Sequence, residues 1–350
     1  MPQRTVAELA NRWAALRRAE PGLRIRDAAA RLGASEAELV ATRVGDGATR
    51  LRGPWPDLIA GVGALGPVMA LTRNDDAVHE RHGIYGALSG GGHVGLVLGE
   101  DIDLRIFFDR WAHGFAVIED GAAGRRRSLQ FFAADGAAIH KIYATEETDR
   151  AAFAALVADR RHDDHSPGIA VAPPAAPDAP RPDHAIDAAA LRADWAALKD
   201  THDFFPLLRR HGAGREQAFR LAGPAFAEPA PRDAARRMLE GAAAGSVPIM
   251  VFVGNAGIIQ IHTGPVSKLV ATGPWFNVLD PAFNLHLREA AIAGAWVVRK
   301  PSVDGTITSL ELFGRDGALA VSFFGKRKPG EPELPAWRAL AESLVARVPA

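Results

Sequence analysis

Apolar residues recur at helical spacing from Val6 to Arg18 and from Ile25 to Leu32, with polar residues filling the opposite face. The next stretch, SEAELVATRV, opens on Ser35 after a Leu-Gly-Ala turn, and Glu38 three residues on completes a capping box. From about residue 66 the pattern changes to short β-rich runs broken by Gly, Asp and Pro: VGLVLG, IDLRIFF, FAVIED and SLQFFAADG. Helical spacing returns in ALRADWAALKD, FFPLLRRHG and REQAFRLAG, before a second strand-rich section. Ala134-Asp135-Gly136 and Arg315-Asp316-Gly317 read as hairpin turns at matching places. Helices segregated from antiparallel strands make each half α+β.

The two halves are copies. Shifted by 181 positions, PVMALTRN (67–74) falls on PIMVFVGN (248–255), and SLQFFAADGA (128–137) on SLELFGRDGA (309–318). From Pro67 to Ala144 no gap is needed, and 18 of 78 pairs are identical, which fixes the register of a tandem duplication. The expected layout is an N-terminal repeat over 1–160, a Pro/Ala/Asp-rich semi-extended linker over 161–187, and a C-terminal repeat over 188–350. A crevice between similar halves is a natural place for a large ligand.

Composition narrows the chemistry. With 41 basic and 41 acidic residues, the formal charge of zero lacks the basic excess of a non-specific nucleic-acid binder. No cysteine is present, which removes thiolate metal sites, iron–sulfur clusters and cysteine nucleophiles. The start of the chain is a charged amphipathic helix rather than a signal peptide, and the apolar runs are strand-sized, so a cytoplasmic protein with no membrane insertion is expected. Neither a P-loop, a GxGxxG, a GxSxG nor an HExxH motif occurs.

Among the twelve histidines, His202 stands apart. It lies in KDTHDFF, between a helix ending near Lys199 and one starting near Phe204, with Asp203 as expected N-cap. It is either an exposed junction residue or an imidazole donor directed into a cleft and suited to iron. The aligned stretch of the first copy, AEPGLRI, has no histidine. Arg105 interrupts the apolar run IDLRIFF, and strict alternation turns it, with Asp103, away from Leu104 and Ile106. That face is either solvated or presents a cationic donor; the aligned residue is His286. His79 and His82 sit three apart on a strand, face opposite sides and share no metal. His165 and His184 are expected to be solvated in the linker, and Arg125 to Arg127 to form a charged hairpin tip. The basic strand ends Arg299-Lys300 and Lys326-Arg327-Lys328, with Arg209, Arg210 and Arg215, are either solvated or placed to hold ligand carboxylates. Residues 28–40 imitate a helix-turn-helix, although plain αα-hairpins have the same form.

The long motifs carry a resemblance. They are D-x-H-x-F-F (200–205), REQAFRL (215–221), PIMVFVGNAGIIQIHTGPV (248–266), WVVRKPSVDGTITSLELF (296–313) and GEPELPAW (330–337), with RNDDAVHERHGIYG (73–86) and DLRIF (103–107) in the first copy. In these the chain resembles the bacterial hemin-degrading factors of the HemS, ChuS and HmuS type. The resemblance implies tandem α+β halves, each with N-terminal helices and a large antiparallel sheet, holding one heme in a cleft between them. It further implies a cytoplasmic heme binder of iron acquisition that acts downstream of a heme ABC importer. His202 falls on the family's axial iron ligand and Arg105 on its distal, catalytic donor. Arg215, Lys300, Arg327 and Phe324 fall on propionate and pocket contacts. The implied activity is oxidative heme degradation with iron release, fed by an external electron donor. The alternative is a carrier or store that delivers intact heme to a separate heme oxygenase or reductase system; a DNA-binding regulator is a remote third. Where the family has Gln-x-Tyr-Gly, this chain has Ser322, Phe323, Phe324 and Gly325, while Tyr143 occupies the matching place in the first copy.

Overall fold

The structure, a computed structural model, describes residues 5–121, 124–175 and 181–345. The first repeat runs through helices α1 (Val6–Ala19), α2 (Ile25–Leu32) and α3 (Glu36–Ala41), strand β1 (Ala48–Leu51) and helix α4 (Trp55–Val62). Strands β2 (Val68–Arg73), β3 (Ala77–Gly83), β4 (Leu88–Gly91), β5 (Val94–Leu98) and β6 (Asp103–Phe107) follow. It ends with β7 (His113–Gly121), β8 (Gly124–Phe132), β9 (Ala138–Ala144) and α5 (Arg150–Asp159). The second repeat has the same succession: α6 (Ala188–Ala196), α7 (Phe204–His211), α8 (Arg215–Ala222), β10 (Ala227–Pro229) and α9 (Ala234–Ala244). Then come β11 (Ile249–Asn255), β12 (Ile258–Gly264), β13 (Leu269–Thr272), β14 (Trp275–Leu279), β15 (Phe283–Leu287), β16 (Gly294–Ser302), β17 (Gly305–Phe313), β18 (Leu319–Gly325) and α10 (Pro335–Ser343). Strand order is β1-β7-β8-β9-β2-β3-β15-β14-β13 in one nine-stranded sheet and β10-β16-β17-β18-β11-β12-β6-β5-β4 in the other. Adding nine to each strand of the first repeat, and subtracting nine from each of the second, turns one order into the other.

The helices begin and end for local reasons. Ser35 Oγ accepts from the Glu38 backbone N–H while the Glu38 carboxylate accepts from Ser35 N–H, so the expected capping box is present. Gly33 and Gly212, at φ 62° and 60°, close α2 and α7 in the left-handed conformation that side chains resist. Helix α3 buries Glu36, Ala37, Leu39, Val40 and Ala41, so a helix-turn-helix would have no free recognition face there.

Two compact units comprise Met1–Arg73, Glu80–Ala176 and Gly254–Gln260, and Asn74–His79, Pro177–Val253 and Ile261–Ala350. In the second unit, alternation along the strands builds two apolar layers. Val297, Leu310 and Leu312 pack with α9 and α10, whereas Val298 and Phe313 pack with α6, α7 and α8. The first unit repeats this plan, with Leu129 and Phe131 beside α4 and α5, and Phe115, Val117 and Phe132 beside α3.

Each unit contains a turn from the other repeat, and one asparagine holds each turn. Asn255 Oδ1 accepts from Gly257 N–H (3.0 Å), and its amide donates to the carbonyls of Arg73 and Ile139 (both 2.9 Å). Asn74 does the same, accepting from Asp76 N–H (3.0 Å) and Ala77 N–H (2.9 Å) and donating to the Ala320 carbonyl (2.8 Å). Neighbouring bonds match as well: Phe107 N–H donates to Gly257 O (2.9 Å) and Arg288 N–H to Asp76 O (2.8 Å).

The linker is irregular but anchored. Gly168 N–H donates to Ala41 O (2.9 Å), Ala172 N–H donates to Ala134 O (2.8 Å), and Arg50 pairs with Asp164. His165 and His184 are exposed. Residues 176–180 of the expected linker, and the first four residues of the expected N-terminal helix, lie outside the described residues.

In the first core, His140 Nδ1 meets Thr72 Oγ1 (2.9 Å) and its Nε2 meets Tyr85 Oη (2.6 Å), all three side chains buried. Burial pulls His140 down to about 3, so the ring is neutral. Unfolded chain takes up a proton below about pH 6.5 and the folded ring does not, so stability is full above that pH and falls as pH drops toward 3. This site is expected to cost about 2 kcal/mol on going from pH 7 to pH 5. Urea denaturation at both pH values checks this, since His140→Gln should lose that part of the pH dependence. Asn255→Ala removes three hydrogen bonds and is expected to destabilise by roughly 2–3 kcal/mol, read from the shift in denaturation midpoint.

Candidate functional site

Helix α6 stops at Ala196, and the chain reaches α7 through a single 3-10 turn, Thr201–Asp203. Asp203 keeps helical backbone angles and makes no side-chain cap, contrary to expectation. The 3-10 turn runs straight into α7, so Phe204 N–H is already bonded to the Thr201 carbonyl. Asp200 does the capping one turn earlier. Its Oδ1 accepts from His202 backbone N–H (2.8 Å) and contacts His202 Nδ1 (2.7 Å). The backbone N–H of His202, then its ring, hold the Asp200 carboxyl below the usual range, and Arg327 adds to the effect. The His202 side chain is 88% exposed. Lys199 O accepts from Val303 N–H (2.9 Å), which ties this junction to the β16–β17 hairpin. Phe205 and Val303, in segments anchored at the same junction, are 62% and 78% exposed.

Inside the same unit lies a charged cluster built on the sheet face that meets α6, α7 and α8. Glu311, fully buried, accepts from Arg215 Nε (2.6 Å) and Nη2 (3.0 Å) and from Lys300 Nζ (2.5 Å). Burial alone would raise the Glu311 carboxyl; Arg215 and Lys300 overcome it and hold it ionised. Burial brings Lys300 down to about 8, against the pull of Glu311 and with the push of Arg215. Both cations lie over the Phe204 ring, Arg215 at 5.4 Å and Lys300 at 4.8 Å, and Lys300 also reaches the Phe324 ring at 5.7 Å. Lys300 is therefore no solvated strand end: at 2% exposure its ammonium is held inside the unit. Arg327 pairs with Asp304 (2.5 Å).

Five of the residues picked from sequence thus gather in one unit. His202 pairs with Asp200 and Arg327 with Asp304, while Arg215 and Lys300 meet at Glu311 and Phe204, and Lys300 also reaches Phe324. Arg105 belongs to the other unit. As alternation requires, Leu104 and Ile106 are buried while Arg105 turns to the opposite face and pairs with Asp103. His79 is buried and His82 exposed. Among the described residues no cluster of three or more His, Cys, Asp or Glu could hold a metal ion. A separate open cleft of about 390 Å³, lined by residues that include Asp75, Asp76, Arg288, Arg315 and Asp316, contains none of the candidate ligand-binding residues.

Sequence reasoning missed Asp200 and Glu311. Glu311 had a signal, since SLELF places a carboxylate in an apolar strand where the first copy has Gln130. The first repeat has its own buried pair at the related place, with charges reversed. Arg215 is the first residue of α8, as Glu36 is of α3, and the two stand 179 positions apart, like Gly33 and Gly212. Glu36 accepts from Lys141 Nζ (2.8 Å), whereas Arg215 donates to Glu311.

The haemin-degrading HemS/ChuX domain family matches residues 33–159 and again 212–344. The chain is 40% identical to the hemin transport protein HmuS of Yersinia pestis over 340 residues, covering 97% of this chain and 98% of that protein. Holo-PhuS, a heme-binding protein from Pseudomonas aeruginosa, is a structural neighbour with a TM-score of 0.96 and 52% identity, covering 98% of this chain and all of that one. The heme-degrading enzyme ChuS of Escherichia coli O157:H7 follows with a TM-score of 0.90 and 39% identity, covering 97% and 100%. The duplication read from the chain is therefore two HemS/ChuX domains in tandem, and the protein belongs to the HemS, HmuS, PhuS and ChuS family.

Proposed function

We propose that the protein binds one heme through His202 as axial iron ligand and opens the macrocycle oxidatively with electrons from an external donor. The observation that carries this reading is the state of His202. Its Nδ1 is engaged by Asp200, its side chain is almost fully exposed, and exposed Phe205 follows on the next helix. An imidazole suited to ligation beside uncovered apolar surface fits a flat, largely apolar metal macrocycle. The ligand's carboxylates call for cations, and Arg215 and Arg327, each partly exposed, stand in the same unit. Lys300, shut inside with Glu311, would act through its field rather than by contact. Phe324 gives aromatic surface without a hydroxyl, so no phenol hydrogen bond is expected from it.

Heme supplies the redox chemistry, and the residues of this chain bind, orient and polarise. Arg105 is assigned as a distal donor on its D-L-R-I-F motif; its guanidinium stays protonated and donates hydrogen bonds without acting as an acid. A carrier that hands on intact heme is the second reading, favoured by the hemin transport relatives. The enzymatic reading is favoured by the heme-degrading relative.

Hemin titration of wild type and His202→Ala tests ligation. The variant is expected to lose the wild-type Soret band and to weaken binding beyond the roughly 10–100-fold that outer-shell partners of a metal ligand command. An unchanged band and affinity would overturn the assignment. Ascorbate turnover with catalase present then separates the readings. Loss of the Soret band with a linear tetrapyrrole product identifies an enzyme, and slower turnover with binding retained is expected of Arg105→Ala. Persistence of heme in wild type, with transfer to an apo-acceptor, identifies a carrier.

A further inference from the structure

Asp200 lies two residues before His202 and makes two different bonds to it through one oxygen. The backbone contact fixes the 3-10 turn; the ring contact, at 2.7 Å, acts on the imidazole itself. A carboxylate can only accept, so the ring proton at this contact sits on Nδ1, and Nε2 is left as the atom with a lone pair. A free histidine side chain prefers the opposite tautomer. Resting on the ligation reading above, we infer that Asp200 is the positioning residue of the axial histidine: it selects the Nδ1–H tautomer, fixes the ring plane and raises the donor strength of Nε2 toward iron.

Three features support the assignment. Asp200 is itself held, because the adjacent Lys199 carbonyl is bonded to Val303 N–H and the Asp203 N–H donates to Asp200 O (3.1 Å). The pair is also specific to one repeat. With α2 and α7 aligned through Gly33 and Gly212, Asp200 falls on Pro21 and His202 on Leu23, so ligand and partner are absent together. Finally, the contact is open to solvent, with side-chain exposures of 60% for Asp200 and 88% for His202. Water competes with it there, and a bound macrocycle would shed that water and strengthen the bond.

The test begins without heme. Long-range ¹H–¹⁵N spectra of histidine-labelled protein, at a pH where imidazole is neutral, are expected to show His202 as Nδ1–H in wild type. Asp200→Ala should shift it toward Nε2–H. Asp200→Asn keeps a side-chain oxygen for the turn and for a weaker ring contact, so it is expected to give an intermediate population. In heme-loaded protein the ferrous iron–histidine stretching band should fall in frequency in Asp200→Ala, recover in part in Asp200→Asn, and hemin affinity should drop roughly tenfold. A wild-type Nε2–H tautomer overturns the inference. So does an unchanged tautomer and stretching band in Asp200→Ala, with circular dichroism showing a folded protein and His202→Ala still losing hemin. Unchanged hemin binding by His202→Ala overturns the ligation reading, and this inference falls with it.

Discussion

Two side-chain amides carry the architecture. Asn74 and Asn255 each close a tight turn on themselves and donate to a carbonyl of the other repeat, Ala320 in one case and Ile139 in the other. Those carbonyls are also 181 positions apart, so the two locks are the same lock used twice. An amide suits the task because it presents an acceptor to the turn and donors outward, which neither a carboxylate nor a hydroxyl can match. The result is that each compact unit is completed by a short segment of the other repeat. The sequence repeat and the packing unit are therefore different objects, and each unit is built from residues of both copies.

Much of this was legible beforehand, and the reasons differ by element. The capping box at Ser35 and Glu38, the helix from Ile25 to Leu32 and the paired hairpin turns are local, and local patterns read directly. Alternation placed Arg105 and Asp103 together without any structure. The exchange of turns was hidden because hydrogen bonds between distant carbonyls leave no periodicity; the only trace was an asparagine retained in both copies. Asp203 was mistaken for a cap because a 3-10 turn ahead of a helix is invisible to helical spacing. Lys300 read as a basic strand end because its partner Glu311 lies on the next strand, and pairing register is not written in either run alone.

At the candidate site, one unit gathers an exposed imidazole, uncovered apolar side chains and a buried set of charges. Two cations share one fully buried carboxylate, so the cluster carries an excess positive charge in a low-dielectric setting. Such a cluster is stable only while all its members are present, and it projects a field favourable to anions nearby. The Phe204 ring under both cations joins the cluster to the helix that follows His202. The Asp200–His202 turn and the charged cluster are thereby braced against the same aromatic side chain.

The reversed pairs at the starts of α3 and α8 have a consequence for how the chain can vary. A negative residue suits the first turn of a helix and a positive one does not, so Glu36 is at ease there, while Arg215 depends on Glu311. Exchange of the helical segment between the copies would set Arg215 against Lys141 in one hybrid and Glu36 against Glu311 in the other. Either places like charges face to face, and in the second Lys300 alone would be left to offset two carboxylates. The helical segments of the two copies are therefore not interchangeable, although they occupy the same place in each repeat. Only the second copy carries the aspartate and histidine of the Asp200–His202 turn, so neither half can stand in for the other.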